Sequence, residues 1–512
     1  MLVVLISPYS SIEATGLRTL SACLKREGFQ TRMIFIPDLT EAMASVHFDC
    51  RHVSLKALTQ IIDLCKDAGL VGISAMTPSF HLAVELTDAI HTSGQVPVLW
   101  GGIHPTARPR ECLEYADLVC VGEGEKLIVD LTKCLQSGGD YHSLANLAYL
   151  DKSGNMVMNH LGPLDNNIDQ LPFPDYDIQQ HYVLHEGNVV PFTRALLYFY
   201  FTDLGSWASG PVYGIFSSRG CPYCCTYCCN NTLSAIYPSW GKMRSRPPAN
   251  VIAEIQAVRQ YLPRLSAVIL RDDTFLAHSV EYIAEFSRLY RREIGLPFRV
   301  YTTAQTTDAK KLKLLAGTGS RFYIIMGIQT GSKEIQKQYK RSVNNEQMLH
   351  AAQLIHQFNN IAPRPMYDVI TDNPYETDHD RWETLQLIHQ LPKPYRLSLF
   401  SLTFYPGTEL YDLAKADGLE GDIPNQYVHN CQIVRPSYYN LALFCHSLNF
   451  PQPILNFLSM RVVFNVFTHQ PFDWLCGLLM KGLLRLRFLL NQRTYIRRWD
   501  FWLAKLHDAE SV

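Results

Sequence analysis

Five of the chain's fourteen cysteines fall within nine positions, Cys221 to Cys229, in the stretch RGCPYCCTYCC. Five thiols crowded into one loop would serve no packing purpose, so metal or redox chemistry is the reading to test. Cys221/Cys224 and Cys225/Cys228 each give C-x2-C, and together they offer the four ligands of a tetrahedral zinc site. Those pairs are adjacent in sequence, however, whereas a four-cysteine zinc site separates its pairs by more than roughly ten residues. A second subset, Cys221, Cys225 and Cys228, gives C-x3-C-x2-C. Three thiolates on a short loop suit three irons of a four-iron cubane and leave the fourth iron without a protein ligand. Such an iron can chelate a small molecule through amino and carboxylate groups.

The elements around the cluster read as a β/α series. Strand-like runs at 212–218, 267–270, 298–302, 322–326, 366–370 and 397–402 alternate with helical patterns near 248–262, 277–293, 307–317, 344–359 and 379–390. Six such units predict a barrel or partial barrel, whose chemistry lies at the carboxyl ends of its strands. The cysteines follow the first of those strands directly.

Residues 1–140 form a separate series. Apolar runs at 2–6, 33–36, 70–74, 96–100 and 118–121, separated by helical spacing, predict a parallel, doubly wound sheet. Ligands bind beyond the carboxyl edge of such sheets. The strands run into SPYSS, SAMTPS, GGIHPT and GEGE, and Gly101, Gly102, Gly122 and Gly124 would let backbone approach a large flat ligand. One such loop is an ordinary turn; four on one edge suggest a site. No G-x-G-x-x-G follows the first strand and no P-loop is present, so nicotinamide, flavin and nucleoside triphosphate readings lack their motifs. Residues 141–210, with LDNNIDQLPFPDYD and then an aromatic segment, read as a connector.

The bulk numbers bound these readings. The chain has 512 residues, 47% of them hydrophobic, enough for several buried cores. A net charge of −1 gives no overall attraction for nucleic acid. The start, MLVVLISPYSS, lacks a positive n-region and reads as a first strand instead of a signal peptide. The nine remaining cysteines read as small core residues. These features fit a reducing cytoplasm.

RGCPYCCTYC resembles the signature of the radical S-adenosylmethionine (SAM) family. The resemblance implies a 4Fe-4S cluster held by Cys221, Cys225 and Cys228, with Tyr227 against SAM and Cys224 and Cys229 as non-ligands. ILRDDTF (269–275), MGIQTGS (326–332), DVITDNPYET (368–377) and SLTFYPGTELYDLA (401–414) are similar to later segments of that barrel. They imply SAM-pocket roles for Asp273, Gln329 and Ser332, although Gln329 stands where Glu is usual and lacks its charge. The N-terminal series, with SAMTPS, GGIHPT and GEGE, resembles the cobalamin-binding domain that precedes this barrel in one large subclass. It implies cobalamin contacts at Ser74, Thr77, Gly101, Gly102, His104, Gly122 and Gly124. The D-x-H-x-x-G motif that supplies a lower axial histidine elsewhere is absent. For His104 a capping or solvent-facing role is favoured over a corrin contact.

The implied fold is α/β: a doubly wound, Rossmann-like or flavodoxin-like cobalamin-binding domain (1–140), a connector (141–210), a partial (β/α)6 radical SAM barrel (211–430) and a mostly helical C-terminal region (431–512). In the implied chemistry the reduced cluster cleaves SAM to a 5′-deoxyadenosyl radical, which takes hydrogen from an unactivated carbon, and methylcobalamin supplies a methyl group. Cobalamin-dependent methyl transfer to a small molecule is the leading expectation. Cyclisation, rearrangement or oxidation with the same cofactors is the second, and a non-catalytic cobalamin or metal sensor the third. An electron donor such as a flavodoxin or ferredoxin is implied; a nucleic-acid partner is not. In residues 472–490 a long apolar stretch carries Lys481, Arg485 and Arg487, too charged to span a membrane. A helical cap on the barrel is favoured there. The alternative is an interfacial helix with Trp474, Trp499 and Trp502 at a headgroup boundary, which would place the protein peripherally on a membrane and favour a hydrophobic substrate.

Overall fold

A computed structural model of the protein describes residues 1–37, 53–202, 207–419, 434–468, 472 and 474–483. The chain divides into two units. The first comprises Met1–Phe201, Tyr213–Leu265 and Thr403–Asn430; the second comprises Thr202–Val212, Ser266–Leu402 and Cys431–Val512.

The first unit is built on a nine-stranded sheet. Its centre is the expected parallel series, in the spatial order Leu118–Cys120, Val98–Gly101, Leu70–Ser74, Leu2–Ser7, Gln30–Phe35. Every residue of Leu2–Ser7 is buried, as a central strand covered on both faces must be. Helices Thr15–Arg26, Leu55–Cys65, Phe80–Ser93 and Glu125–Ser137 cover the sheet. Strand order reverses between Leu2–Ser7 and Leu70–Ser74, which places the topological switch point there.

The expected connector is not a plain linker. Leu147–Leu150 and Met156–Met158 extend one edge antiparallel. Tyr182–His185 joins the other edge parallel to Gln30–Phe35 and returns as Asn188–Pro191. These strands are three or four residues long and sit among turn formers, so periodicity could not reveal them. The LPFPDYD segment is pinned to this domain. Asp175 accepts hydrogen bonds from Ser21 Oγ (2.6 Å) and His181 Nε2 (3.2 Å) and an ion pair from Lys25 (2.8 Å). Arg18, 1% exposed, donates to the Asp175 carbonyl and lies over the rings of Phe35 and Tyr176.

The second unit carries Ala267–Leu270, Phe298–Thr303, Phe322–Gln329, Met366–Thr371 and Arg396–Ser401, all parallel and in sequence order. Val212, where the strand Val212–Ile215 begins, packs with Ala208, Ala267 and Ile269. Helices Val280–Glu293, Ala309–Ala316, Asn345–His356 and Asp378–Gln390 alternate with the strands. Each starts where a side chain caps it: Ser279, Asp308, Asn344 and Thr377 accept from backbone N–H groups of the first turn. Beyond the strands, Tyr438–Ser447 is buried along its whole length, as a cap must be. Residues 211–430 are thus shared between the units: the cysteine segment and the P-G-T segment belong to the first, the other five strands to the second.

Candidate functional site

The cysteine loop leaves a short ladder in which Ser218–Arg219 pairs antiparallel with Arg244–Ser245. Gly220 turns the chain at φ 93°, and a Cβ there would lie 2.4 Å from the Trp240 carbonyl oxygen, so only glycine fits. Cys221 is buried, Cys225 and Cys228 are half-buried, and Cys224 and Cys229 are exposed. A turn bond from Cys228 N to the Cys225 carbonyl (3.0 Å) folds the loop, and Cys228 then begins the helix Cys229–Ile236. Asn230 Nδ2 points to Cys228 Sγ (3.6 Å) and Asn231 Nδ2 to Cys224 Sγ (3.3 Å).

The P-G-T segment braces this loop. Leu410 N donates to the Thr226 carbonyl (3.0 Å), Glu409 N to Asn231 Oδ1 (2.8 Å), and Thr232 Oγ1 to the Gly407 carbonyl (2.8 Å). Thr408 caps the helix Glu409–Ala416 that follows. Among the described residues, no three His, Cys, Asp or Glu side chains form a cage for one metal ion. A cubane asks for something else, because each thiolate meets a different iron. The donor set, three soft thiols spaced along one braced loop with amide N–H groups near sulfur, fits such a cluster.

The GEGE loop, expected as a ligand loop, grips the base of the cysteine loop. Glu123 accepts from Arg219 Nη1 (3.0 Å) and from both Nη atoms of Arg244 (2.7 and 3.0 Å); Glu125 accepts from Arg219 Nη2 (2.5 Å). Arg244 also donates to the Asp165 carbonyl (2.8 Å). Burial alone would raise the Glu123 pKa, but the two guanidiniums hold it below the usual carboxylate value. The two loops expected to carry cobalamin and the cluster are therefore fastened together by charge-assisted hydrogen bonds.

The glycines on this edge have neighbours within the protein. They admit the protein's own chain. A Cβ at Gly102 (φ 107°) would meet the Ala75 carbonyl oxygen at 2.7 Å, and one at Gly122 (φ 88°) would meet Tyr237 Oη at 2.0 Å. Gly124 and Gly101 pack against Cys120. Tyr237 comes from the helix that follows the cysteines, and its hydroxyl accepts from Asn146 Nδ2 (3.0 Å). His104 is 1% exposed, so a solvent-facing role fails. Its ring lies against Phe80, and its Nδ1 is 3.1 Å from Thr77 Oγ1. Burial, more than the nearby Arg108, pulls its pKa down to about 4 and keeps it neutral at physiological pH. Ser74, half-buried at the end of its strand, lies nearest the switch point.

Comparisons to known proteins match two parts of the chain. Residues 215–388 match the Radical SAM superfamily and residues 1–132 match the B12 binding domain. The chain thus carries a radical SAM domain and a B12-binding domain. The cofactors of this B12-dependent radical SAM enzyme are accordingly a 4Fe-4S cluster, SAM and cobalamin. It is 25% identical over 360 residues to an uncharacterized methyltransferase of Pyrococcus horikoshii, covering 69% of this chain and 71% of that one. It is 22% identical over 404 residues to the anaerobic magnesium-protoporphyrin IX monomethyl ester cyclase of Rubrivivax gelatinosus, covering 77% and 64%. Among solved structures, the radical SAM methyltransferase TsrM from Kitasatospora setae superposes with a TM-score of 0.62 at 19% identity, covering 81% of this chain and 78% of that one. The cobalamin-dependent SAM radical enzyme OxsB gives 0.64 at 16% identity, covering 98% and 80%. At these identities the structures share the fold.

In the second unit, the expected SAM residues of this B12-dependent radical SAM enzyme take different positions. Asp273 is exposed just beyond its strand, next to the buried Asp272. Gln329 ends its strand at φ 67°, where the register shifts. Ser332 is fully buried, donates to Asp380 Oδ1 (2.5 Å) and caps the helix Lys333–Gln338, so its hydroxyl sets a turn. Sequence reasoning missed Asp368. It shares one half-buried face of the sheet with Arg299, Tyr301 and Tyr323, and pairs in register with Gly327 and Ser398. Burial lifts its carboxyl to about 7 against the opposing pull of Ser398 and Arg299. On the same face Arg299 stacks on Trp207 (4.2 Å), and Trp207 meets Tyr323 edge-on (5.3 Å). Alternation along the strand carried that signal, since Asp368 stands two residues from the apolar Met366 and Ile370. Glu376, in the PYET turn, is 5% exposed with neither carboxylate oxygen hydrogen-bonded, and Arg381 Nε is 4.0 Å away. Burial raises its pKa to about 8.

Proposed function

We propose that the chain is a C-methyltransferase that adds a methyl group to an unactivated carbon of a small molecule. The observation that carries this reading is the Glu123 clamp: the cobalamin-domain loop and the cluster loop share one set of ion pairs. When bound, the cluster with SAM supplies one-electron cleavage and cobalamin supplies a transferable methyl group. The protein's own part is to hold and orient. Cys221, Cys225 and Cys228 would ligate the cluster. The amide of Asn230 donates toward the sulfur of Cys228, and such a bond tunes a cluster's potential. Glu123, Arg219 and Arg244 keep the two loops in register. In the second unit, Asp368 carries a carboxyl that is protonated for part of the time near neutral pH and can either donate to or accept from a substrate group. A one-electron donor protein such as a flavodoxin or ferredoxin is required by this chemistry.

The test is anaerobic reconstitution with cobalamin and methyl-deuterated SAM, followed by untargeted mass spectrometry of extracts from cells with and without the gene. Methyl transfer requires a product that carries the deuterated methyl group. The resemblance to a cyclase favours one second reading, ring formation or oxidation with the same cofactors. That reading requires 5′-deoxyadenosine release with no label in the product. Absence of both labelled product and 5′-deoxyadenosine would leave the sensor.

A further inference from the structure

We propose that residues 454–468 and 474–479 form a surface that rests on a membrane, at the interface of an anionic lipid bilayer. The inference does not depend on whether methyl transfer is the reaction. Among the described residues, half of the exposed large apolar side chains, nine of eighteen, fall in these 21 residues. Soluble surfaces scatter such residues singly, so their concentration calls for a partner.

The three helices here are amphipathic in an inverted sense. Each is anchored by few buried side chains: Leu455 in Gln452–Leu458, Phe464 in Arg461–Phe467, and Cys476 and Met480 in 474–483. The apolar residues that remain look outward. Val462 (75% exposed) and Val466 (51%) are four apart and share a face opposite Phe464. Trp474 (66%) and Leu478 (58%) are likewise four apart, and Lys481, one turn on, lies at the margin of their stripe. An apolar face with tryptophan at its boundary and lysine beside it suits the headgroup–acyl boundary of a bilayer.

Charge selects the lipid. Over residues 454–468 and 474–483 the chain holds Arg461 and Lys481 and no Asp or Glu, while the whole chain is −1. That local excess is attracted to anionic headgroups. Among the described residues no helix is long and apolar enough to cross a membrane, so the contact is with the surface. Of residues 472–490, where a cap is favoured, the described helix 474–483 buries Cys476 and Met480 and exposes Trp474, Leu475, Leu478 and Leu479. Trp499 and Trp502, also expected at a headgroup boundary, lie outside the described residues, as do Arg485 and Arg487.

The experiment is co-sedimentation of the full chain with phosphatidylglycerol/phosphatidylcholine vesicles and with pure phosphatidylcholine vesicles. It compares the parent with V462E/L478E, whose substituted side chains are exposed and outside the cofactor machinery. The expected result is recovery of the parent on the anionic vesicles, weakened by salt, with at least about a tenfold drop for the variant at unchanged thermal midpoint. Equal recovery of both proteins, or no recovery of the parent, overturns the proposal. So does a parent that is dimeric by light scattering and ignores vesicles while the variant is monomeric, which would make a second copy the occupant. A variant with a lowered midpoint, from a parent that ignores vesicles, would assign the face to another segment of this chain. The single variant W474D keeps the question open to test if the double one fails to fold.

Discussion

Replacing Glu376 by glutamine should stabilise the second unit, and by an amount that grows with pH. The folded chain raises this carboxyl from 4.5 to about 8 because burial opposes its charge and no hydrogen bond compensates; Asp380 and Asp372 push the same way, and only Arg381 opposes. A raised carboxyl binds its proton more tightly when folded. Its contribution to stability is therefore complete below the unfolded value and is lost progressively as pH rises toward the folded one. Each unit is about 1.4 kcal/mol, so between pH 5 and 7 the parent loses roughly 3 kcal/mol that the glutamine variant keeps. The buried amide carries its own desolvation cost, but that cost does not vary with pH. The slope, and not the absolute difference, is the readout. The assay is equilibrium urea unfolding at several pH values, followed by pulsed hydrogen exchange on peptides from the helix Asp378–Gln390. A gap between variant and parent that stays constant within about 0.5 kcal/mol from pH 5 to 7 would refute the argument.

Single alanine substitutions of Cys221, Cys225 and Cys228 should abolish iron and sulfide retention and SAM cleavage, while Cys224 and Cys229 variants keep both, as metal analysis and 5′-deoxyadenosine release will report. Glu123→Gln should cost about 3 kcal/mol, because Arg244, only 5% exposed, loses its counter-charge; in a double-mutant cycle with Arg244→Met the two losses should fall well short of additive. Gly122→Ala should destabilise the first unit by more than about 2 kcal/mol, since it combines positive φ with a Cβ inside the Tyr237 ring position; thermal unfolding measures it. Asp368→Asn should flatten any inflection near pH 7 in the turnover profile while leaving cluster content and SAM binding unchanged.

Long periodic elements were readable in the sequence because burial on both faces of a parallel sheet leaves unbroken apolar runs. Leu2–Ser7, Leu70–Ser74 and Ala267–Leu270 fall within a residue of where their patterns place them. The edge strands at 147–191 were not readable, for each buries too few side chains to impose a period. The cysteine spacing stood out because chemistry fixes it. The meaning of the glycines did not: a sequence records that a Cβ is excluded but not by what, and here Tyr237 and the Ala75 backbone exclude it. GEGE was legible as a special loop, but its carboxylates face two arginines about a hundred residues away, a pairing with no local signature. Asp368 and Glu376 are both acidic residues in or next to strands, and only their surroundings tell a group near neutrality from an ordinary surface charge.

The brace on the cysteine loop also has a timetable. Thr232 bonds a carbonyl 175 residues later in the chain, and Asn231 an amide 178 residues later. At about 5–20 residues per second, synthesis of that interval takes roughly 10 to 35 s. For that time the loop exists without the strap that will bind it. Iron and sulfide delivered during translation would meet the loop unfastened; delivered afterwards, they would meet it braced.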